Sequence, residues 1–194
     1  MLPLGHAALA YLSYVGIAGL TRRPLPVHWA LVPLGVASQL PDLVDKPLSY
    51  HGLIISGRSL GHSLVTAIVL VVLVWLAARW VARAETGLRA RLAERTPLAF
   101  AVGYLSHLSA DALYPVLLGE GLFTWFLFWP LTPVPAHGTA PPLATVRSFA
   151  ETFVTFLGTP RGTLYVLGEL ALLAGAVLLW LRDGVPGLPV GRPA

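Results

Sequence analysis

Long apolar runs alternate with short breaks carrying proline, glycine or arginine, and the breaks divide the chain into five apolar segments. The first runs from about Leu2 to Leu20 and stops at Arg22-Arg23-Pro24. A shorter second one runs from about Val27 to Leu40 and ends at Pro41, which predicts a loop from Pro41 to Gly61. The third, Leu64 to Val81, is an almost unbroken Ile/Val/Leu run. The fourth spans Pro97 to Leu118 and the fifth about Thr163 to Leu181. Crossing hydrocarbon takes roughly 20 apolar residues. The third, fourth and fifth segments meet that length, whereas the second predicts a short helix buried in a bundle or ending partway through the membrane. Gly119 to Pro160 is rich in aromatics and proline and reads as interfacial or re-entrant, since Trp and Phe settle at the headgroup boundary. No internal repeat is visible. The Gly/Pro-rich residues 183–194 read as a flexible tail on a single membrane domain over 1–182.

Composition sharpens this picture. Hydrophobic residues make up 56% of the 194 and charged residues only 11%, against about 25% charged in soluble domains. Lipid is therefore the expected solvent, and the fold class predicted is an all-α, multi-pass membrane bundle of about five transmembrane or membrane-buried helices. The absence of cysteine leaves no disulfide framework, thiolate ligand or Cys nucleophile, so any metal must take N and O ligands. The N-terminus lacks a basic start and a small-residue cleavage site, so the first helix is expected to be retained.

The net charge of +4 comes from scattered arginines at helix ends, which reads as topology rather than a nucleic-acid surface. Arg22 and Arg23 follow the first segment, Arg79, Arg83, Arg89, Arg91 and Arg95 lie between the third and fourth, and Arg182 follows the fifth. If all five segments cross, these fall on one side, which the positive-inside rule makes cytoplasmic. The N-terminus, the Pro41–Gly61 loop and the Gly119–Pro160 loop then share the outer side. At ~1.5 Å rise per residue, His6, Asp42, Asp45, His62, His107 and Asp111 all come to one depth near that outer face.

An ionisable group at membrane depth is costly and marks a functional site by default, and His and Asp are ligands for zinc, manganese or iron. In His107-Leu-Ser-Ala-Asp111 the i, i+4 spacing sets both side chains on one helix face, as a metal clamp requires and as a buried His–Asp hydrogen bond also would. Gln39-Leu-Pro-Asp42-Leu-Val-Asp45 offers two carboxylates at a proline break, where Asp is also common in turns. Gly57-Arg58-Ser-Leu-Gly-His62-Ser63 sets a histidine at a helix mouth, with Ser63 or Ser59 suited to capping. Arg58 suits a phosphate fork or a headgroup anchor. Of the other candidates, His28 reads as interfacial, His51 as a possible substrate contact in the loop, and His137 as a loop histidine or an extra ligand. Glu120 and Glu169 have no evident partner, and Glu169 is the odder because it sits inside an apolar segment. Phosphate-binding Gly loops, Gly-x-Ser-x-Gly elbows and HExxH are absent.

Gly5-His6-Ala-Ala, Pro41-Asp42-x-x-Asp45, Arg58-Ser-x-Gly-His62-Ser63, Ser106-His107-x-x-x-Asp111 and Phe128-Trp129-Pro130 together resemble the YdjM-type family over about residues 1–132. Its members are membrane-embedded proteins described as metal-dependent hydrolases, some of them as LexA-binding. They often read Pro-Asp-x-Asp, whereas here the second acid falls one residue later, which leaves open whether Asp42 or Asp45 is a ligand. The order of these residues is also similar, more distantly, to the metal core of zinc-dependent phospholipase C and the P1-type nucleases. That likeness implies His62, His107, Asp111 and one of Asp42/Asp45 around one metal, with His6 helping to hold a second and Asp111 bridging. The later His and Glu ligands of a third metal have no counterpart here.

The expectation is thus a cell-membrane (plasma or inner membrane) hydrolase carrying one or two divalent ions, zinc first and Mn or Fe as alternatives. Its site would lie toward the extracytoplasmic side. The expected substrate is a phosphoester or phosphoanhydride on a membrane lipid or lipid-linked molecule, with no nucleic-acid partner. Arg58 would bind phosphate, and whichever of Asp42 and Asp45 is not a ligand would orient or deprotonate water. The competing readings are a non-enzymatic protein with a structural or regulatory metal cluster and a transporter with ion-binding His/Asp. The lack of paired repeats speaks against the last.

Overall fold

The computed structural model describes residues 1–21, 30–117, 119, 121–134 and 142–187, and among them the secondary structure is wholly helical. Six α-helices follow one another: α1 (Pro3–Leu20), α2 (Leu31–Tyr50), α3 (Leu64–Ala84), α4 (Gly87–Leu117), α5 (Pro142–Leu157) and α6 (Pro160–Arg182). A short 3-10 turn, Trp125–Phe128, lies between α4 and α5. Arg22, Arg23, His28, Glu120 and His137, singled out from the sequence, lie outside the described residues, as do residues 188–194 of the expected tail.

Local chemistry explains most helix starts. Pro3 and Pro160 occupy first-turn positions, where a missing N–H costs nothing. Ser63 caps α3, its Oγ accepting from Val65 N at 3.0 Å, and Thr159 caps α6 through Gly162 N at 3.0 Å. Three boundaries depart from the sequence expectation. The helix expected to stop before Pro41 continues through Pro41 and Pro47 to Tyr50, so Asp42 and Asp45 stand on a helix rather than in a loop. Proline costs about 3 kcal/mol inside an isolated helix; here Pro41 is buried, and the chain at Gly61 packs directly on its backbone. The fourth segment begins at Gly87 rather than Pro97, because the Arg-bearing stretch before it is also helical. α5 occupies part of the stretch read as interfacial or re-entrant. It turns back on α6, with Phe153 and Phe156 set edge-on to Tyr165.

α1, α3 and α6 are the three described helices long and apolar enough to cross a membrane. α3 presents Val65, Ile68, Val69, Val72, Leu73 and Leu76 outward, the surface lipid would solvate. α4 is longer but less apolar, and its polar residues Ser106, His107, Ser109 and Asp111 lower its mean hydropathy. It lies in the middle, packed against α1, α2 and α3. Small residues let these helices approach closely, as in membrane bundles: Ala10, Ala37, Ala67 and Ala99 are buried, and Gly103 faces the Leu34 carbonyl.

Helix directions follow from the contacts. Gly103 meets Leu34 and His107 meets Ser38, so α2 and α4 run parallel. Leu2 meets Glu169 and Tyr11 meets Asp183, so α1 and α6 also run parallel. The start of α1, the end of α2, the start of α3 and the end of α4 therefore share one end of the bundle. Arg79, Arg83, Arg89, Arg91, Arg95 and Arg182 belong to the other.

Candidate metal centre

At the first of these ends, six ionisable side chains carried by four elements are almost shut off from solvent. His6, Asp45, His62 and His107 are no more than 1% exposed, Asp111 3% and Asp42 13%. One face of α4 supplies His107 and Asp111, α2 supplies Asp42 and Asp45 one turn apart, and the loop before α3 supplies His62. Tyr104, one turn before His107, donates from its hydroxyl to the Gly61 carbonyl and ties that loop to α4. Phe126, fully buried, sets its ring edge-on to His62, with centroids 5.8 Å apart. The aromatic segment thus packs one of its rings on the centre, and the Trp129 carbonyl accepts from the Ser63 hydroxyl beside it.

Four of the six converge. Ligand atoms of Asp42, His62, His107 and Asp111 all lie within 4.8 Å of one another. His62 Nε2 is 3.5 Å from Asp42 Oδ1 and 3.5 Å from Asp111 Oδ2. His107 Nε2 is 3.2 Å from His62 Nε2 and 3.9 Å from Asp42 Oδ1. Ligands about 2.1 Å from a tetrahedral zinc stand about 3.4 Å from one another. The three separations from His62 Nε2, 3.2 to 3.5 Å, lie near that edge, and the rest of the group is wider, up to 4.8 Å.

Proton placement makes the same case independently. His107 Nδ1 lies 2.7 Å from the Ser38 carbonyl, a pure acceptor, so that nitrogen carries the hydrogen. His62 Nδ1 lies 2.8 Å from the Asp45 carboxylate, so the same holds there. Each neutral ring then turns its Nε2 lone pair inward, toward the other and toward two carboxylate oxygens. Four acceptors facing one point require a cation or a proton between them. Without a metal the proton is held on His62: burial works against its charge, but Asp111, Asp42 and Asp45 outweigh burial and push its pKa up to about 10. The Asp45–His62 and Ser38–His107 bonds are also the outer-shell contacts that fix the tautomers of metal-binding histidines. The donor set therefore fits a divalent ion.

The geometry separates the two acids that the sequence left open. Asp42 Oδ1 faces the converging nitrogens. Asp45 is fully buried with both oxygens engaged: Gly61 N donates to Oδ1 at 2.7 Å, and Ser59 N, His62 N and His62 Nδ1 donate to Oδ2 at 2.7, 3.2 and 2.8 Å. Asp45 stands behind His62, outside the group of four converging residues. Asp45→Asn should therefore weaken zinc binding by about 10- to 100-fold, the usual effect of losing an outer-shell partner. An amide cannot accept all four of these donors, so His62 loses its enforced tautomer. Chelator competition at unchanged helix content is the measurement.

His6 stacks on His107, with centroids 3.9 Å apart and planes 17° apart. Its Nε2 is 3.5 Å from Asp111 Oδ1, while Nδ1 has no hydrogen-bond partner among the described residues. It thus touches the outer oxygen of Asp111 and lies outside the group of four. Arg58, 40% exposed, bonds Asp111 Oδ2 through Nε at 2.8 Å at the solvent-facing edge. His51, expected as a loop residue near substrate, is exposed at the C-cap of α2 with its ring against Tyr50.

Sequence reasoning overlooked Lys46, Ser38 and Tyr104. Lys46 is the chain's one lysine among twelve arginines, and its Nζ sits 2.6 Å from Asp42 Oδ2. Its position four residues after Asp42 was a readable signal. The Ser38 carbonyl had no signal, since every residue carries one.

A helical membrane protein with a buried His/Asp cage at one end of its bundle is the class that fold and site define. The chain belongs to the YdjM inner membrane protein family, whose model matches residues 1–184. The match extends past the 1–132 expected from the motifs and takes in α5 and α6. No curated protein and no solved structure matches the chain.

Proposed function

We propose that the protein is a membrane-embedded, metal-dependent hydrolase of a phosphoester or phosphoanhydride carried by a lipid or lipid-linked molecule. The observation that supports this most is the convergence of two Nε2 lone pairs and two carboxylate oxygens on one point. Asp42, His62, His107 and Asp111 hold one divalent ion, zinc by donor type, with Mn or Fe as alternatives. Asp45 and the Ser38 carbonyl orient the two histidines. A cation there supplies the Lewis acidity that lets water act as a nucleophile near neutral pH.

Side-chain charge favours an anionic substrate. Asp42, Asp45 and Asp111 are matched in number by Arg58, Lys46 and the Met1 ammonium 3.9 Å from Asp111 Oδ1, so a bound dication turns the site net positive. Arg58 and Lys46 are the most solvent-exposed of these charged groups, at 40% and 62%, where a phosphate would arrive. Arg58 then binds it through its guanidinium fork. The arginine-bearing ends of α3, α4 and α6 lie at the opposite end of the bundle, so the positive-inside rule favours a multi-pass topology with the site on the extracytoplasmic side.

The deciding experiment follows phosphate release from vesicles carrying phosphomonoester or diphosphate lipids, with zinc-loaded wild type beside Arg58→Ala. Loss of one charged clamp on a phosphoryl group costs about 10²- to 10³-fold in turnover, with the two proteins compared at matched zinc content because Arg58 also bonds Asp111. Zinc-loaded wild type that releases no phosphate from either lipid class overturns the reading. A structural or regulatory metal in a non-enzymatic membrane protein then takes its place. One observation favours that second reading: the group offers four protein donors, the number that fills a tetrahedral shell, whereas catalytic zinc sites keep a position open.

A further inference from the structure

Glu169 is a carboxylate in the apolar helix α6, 3% exposed. Burial of such a group in a bundle is costly and calls for a reason. It takes no part in the converging cage. Its Oε1 accepts from Leu2 N at 3.1 Å, and its Oε2 has no hydrogen-bond partner among the described residues.

The first turn of α1 is shaped to receive it. Leu2, the N-cap, has no oxygen in its side chain with which to cap, and Pro3 carries no N–H. Gly5 leaves the space: a Cβ there would lie 2.0 Å from Glu169 Oε2 and 2.8 Å from its Cδ. The carboxylate occupies the position a capping side chain would fill, at the positive end of the helix dipole. The residue after Gly5 is His6, stacked on His107 and touching the outer oxygen of Asp111.

We infer that Glu169 is a positioning residue, capping α1 from α6 and so holding His6 against Asp111 and His107. This rests on the reading of His107 and Asp111 as metal ligands only for its effect on the metal; the capping itself stands without it. Tyr11, whose hydroxyl donates to Asp183 Oδ2 at 3.3 Å, is a second tether between the same two helices. Glu169 sets the depth of the α1 start, and Tyr11 holds the helix farther along.

The test uses the full chain in detergent and two readouts. Amide exchange in the metal-free protein over residues 2–6 should quicken by about tenfold in Glu169→Ala, since a lost cap frees the first turn. Glu169→Gln keeps an acceptor for Leu2 N–H and should restore exchange to within about threefold of wild type. Zinc affinity should fall by about tenfold in Glu169→Ala and in His6→Ala alike, and the double variant should be no weaker than the weaker single one. Gly5→Ala, whose methyl displaces the carboxylate, should match Glu169→Ala and serves for it if that variant does not fold. Wild-type exchange in Glu169→Ala and Gly5→Ala overturns the capping, and fully multiplying effects of Glu169→Ala and His6→Ala overturn the action through His6. A wild type that binds no zinc removes the metal reading and leaves the exchange comparison to decide the cap.

Discussion

Purified His107→Ala should carry almost no metal, while the wild type carries about one zinc per chain after growth or loading with zinc. Structural zinc sites bind with about 12 kcal/mol, about 3 kcal/mol for each of four ligands, so loss of one weakens binding by at least about 100-fold. His107 is fully buried, and His6, the neighbouring imidazole, lies stacked on it and outside the group of four. The change also removes the bond to the Ser38 carbonyl and opens a cavity beneath the His6 ring. Elemental mass spectrometry on detergent-purified protein reads the content, and chelator competition reads the affinity. A wild type free of metal under zinc-replete conditions would leave the four residues as a cage closed by the proton on His62, and the hydrolase reading would fall with it.

The largest effect on folding is expected at Gly103. An alanine Cβ there would lie 2.4 Å from the Leu34 carbonyl oxygen and 3.1 Å from Ala37 Cβ. Neither can yield cheaply, because the first is backbone inside α2 and the second is a fully buried methyl. α2 would have to retreat from α4, as overpacking forces a backbone to shift, at a cost of about 3 kcal/mol. The next turn carries the Ser38–His107 bond, so zinc affinity should fall with stability. Gly16 and Gly175 are helical glycines with open space around the added methyl. Gly16→Ala and Gly175→Ala should raise stability slightly, by up to about 1 kcal/mol, since alanine is the better helix former. Apparent Tm in one detergent, followed by circular dichroism for all three variants, makes the comparison. Equal Tm for Gly103→Ala and Gly175→Ala would mean that α2 and α4 do not meet as closely as described.

The site was legible because of scarcity. In a chain with 11% charged residues, His6, Asp42, Asp45, His62, His107 and Asp111 stand out without any knowledge of contacts. The alternation of apolar segments then set them at one depth, and the bundle brings all six to one end. Glu169 stood out in the same way, yet its partners, Leu2 N and the space at Gly5, lie more than 160 residues away and leave no local trace. α5 was hidden for a different reason. Its proline-rich approach resembles a loop, and the face it turns to Tyr165 becomes meaningful only once α6 is in place.

By itself, the sequence determined which stretches are strongly apolar, that the protein belongs in a membrane, and which side chains are too costly there to be incidental. These properties follow from residue type and periodicity, both local. Tertiary structure alone decided that α2 continues through Pro41 and that Asp42 and Asp45 part company. The chain packed at Gly61 supports the first. The amides of Ser59, Gly61 and His62 engage Asp45 and leave Asp42 to face the histidines. Two carboxylates one turn apart on one helix are equivalent until a distant segment folds against one of them.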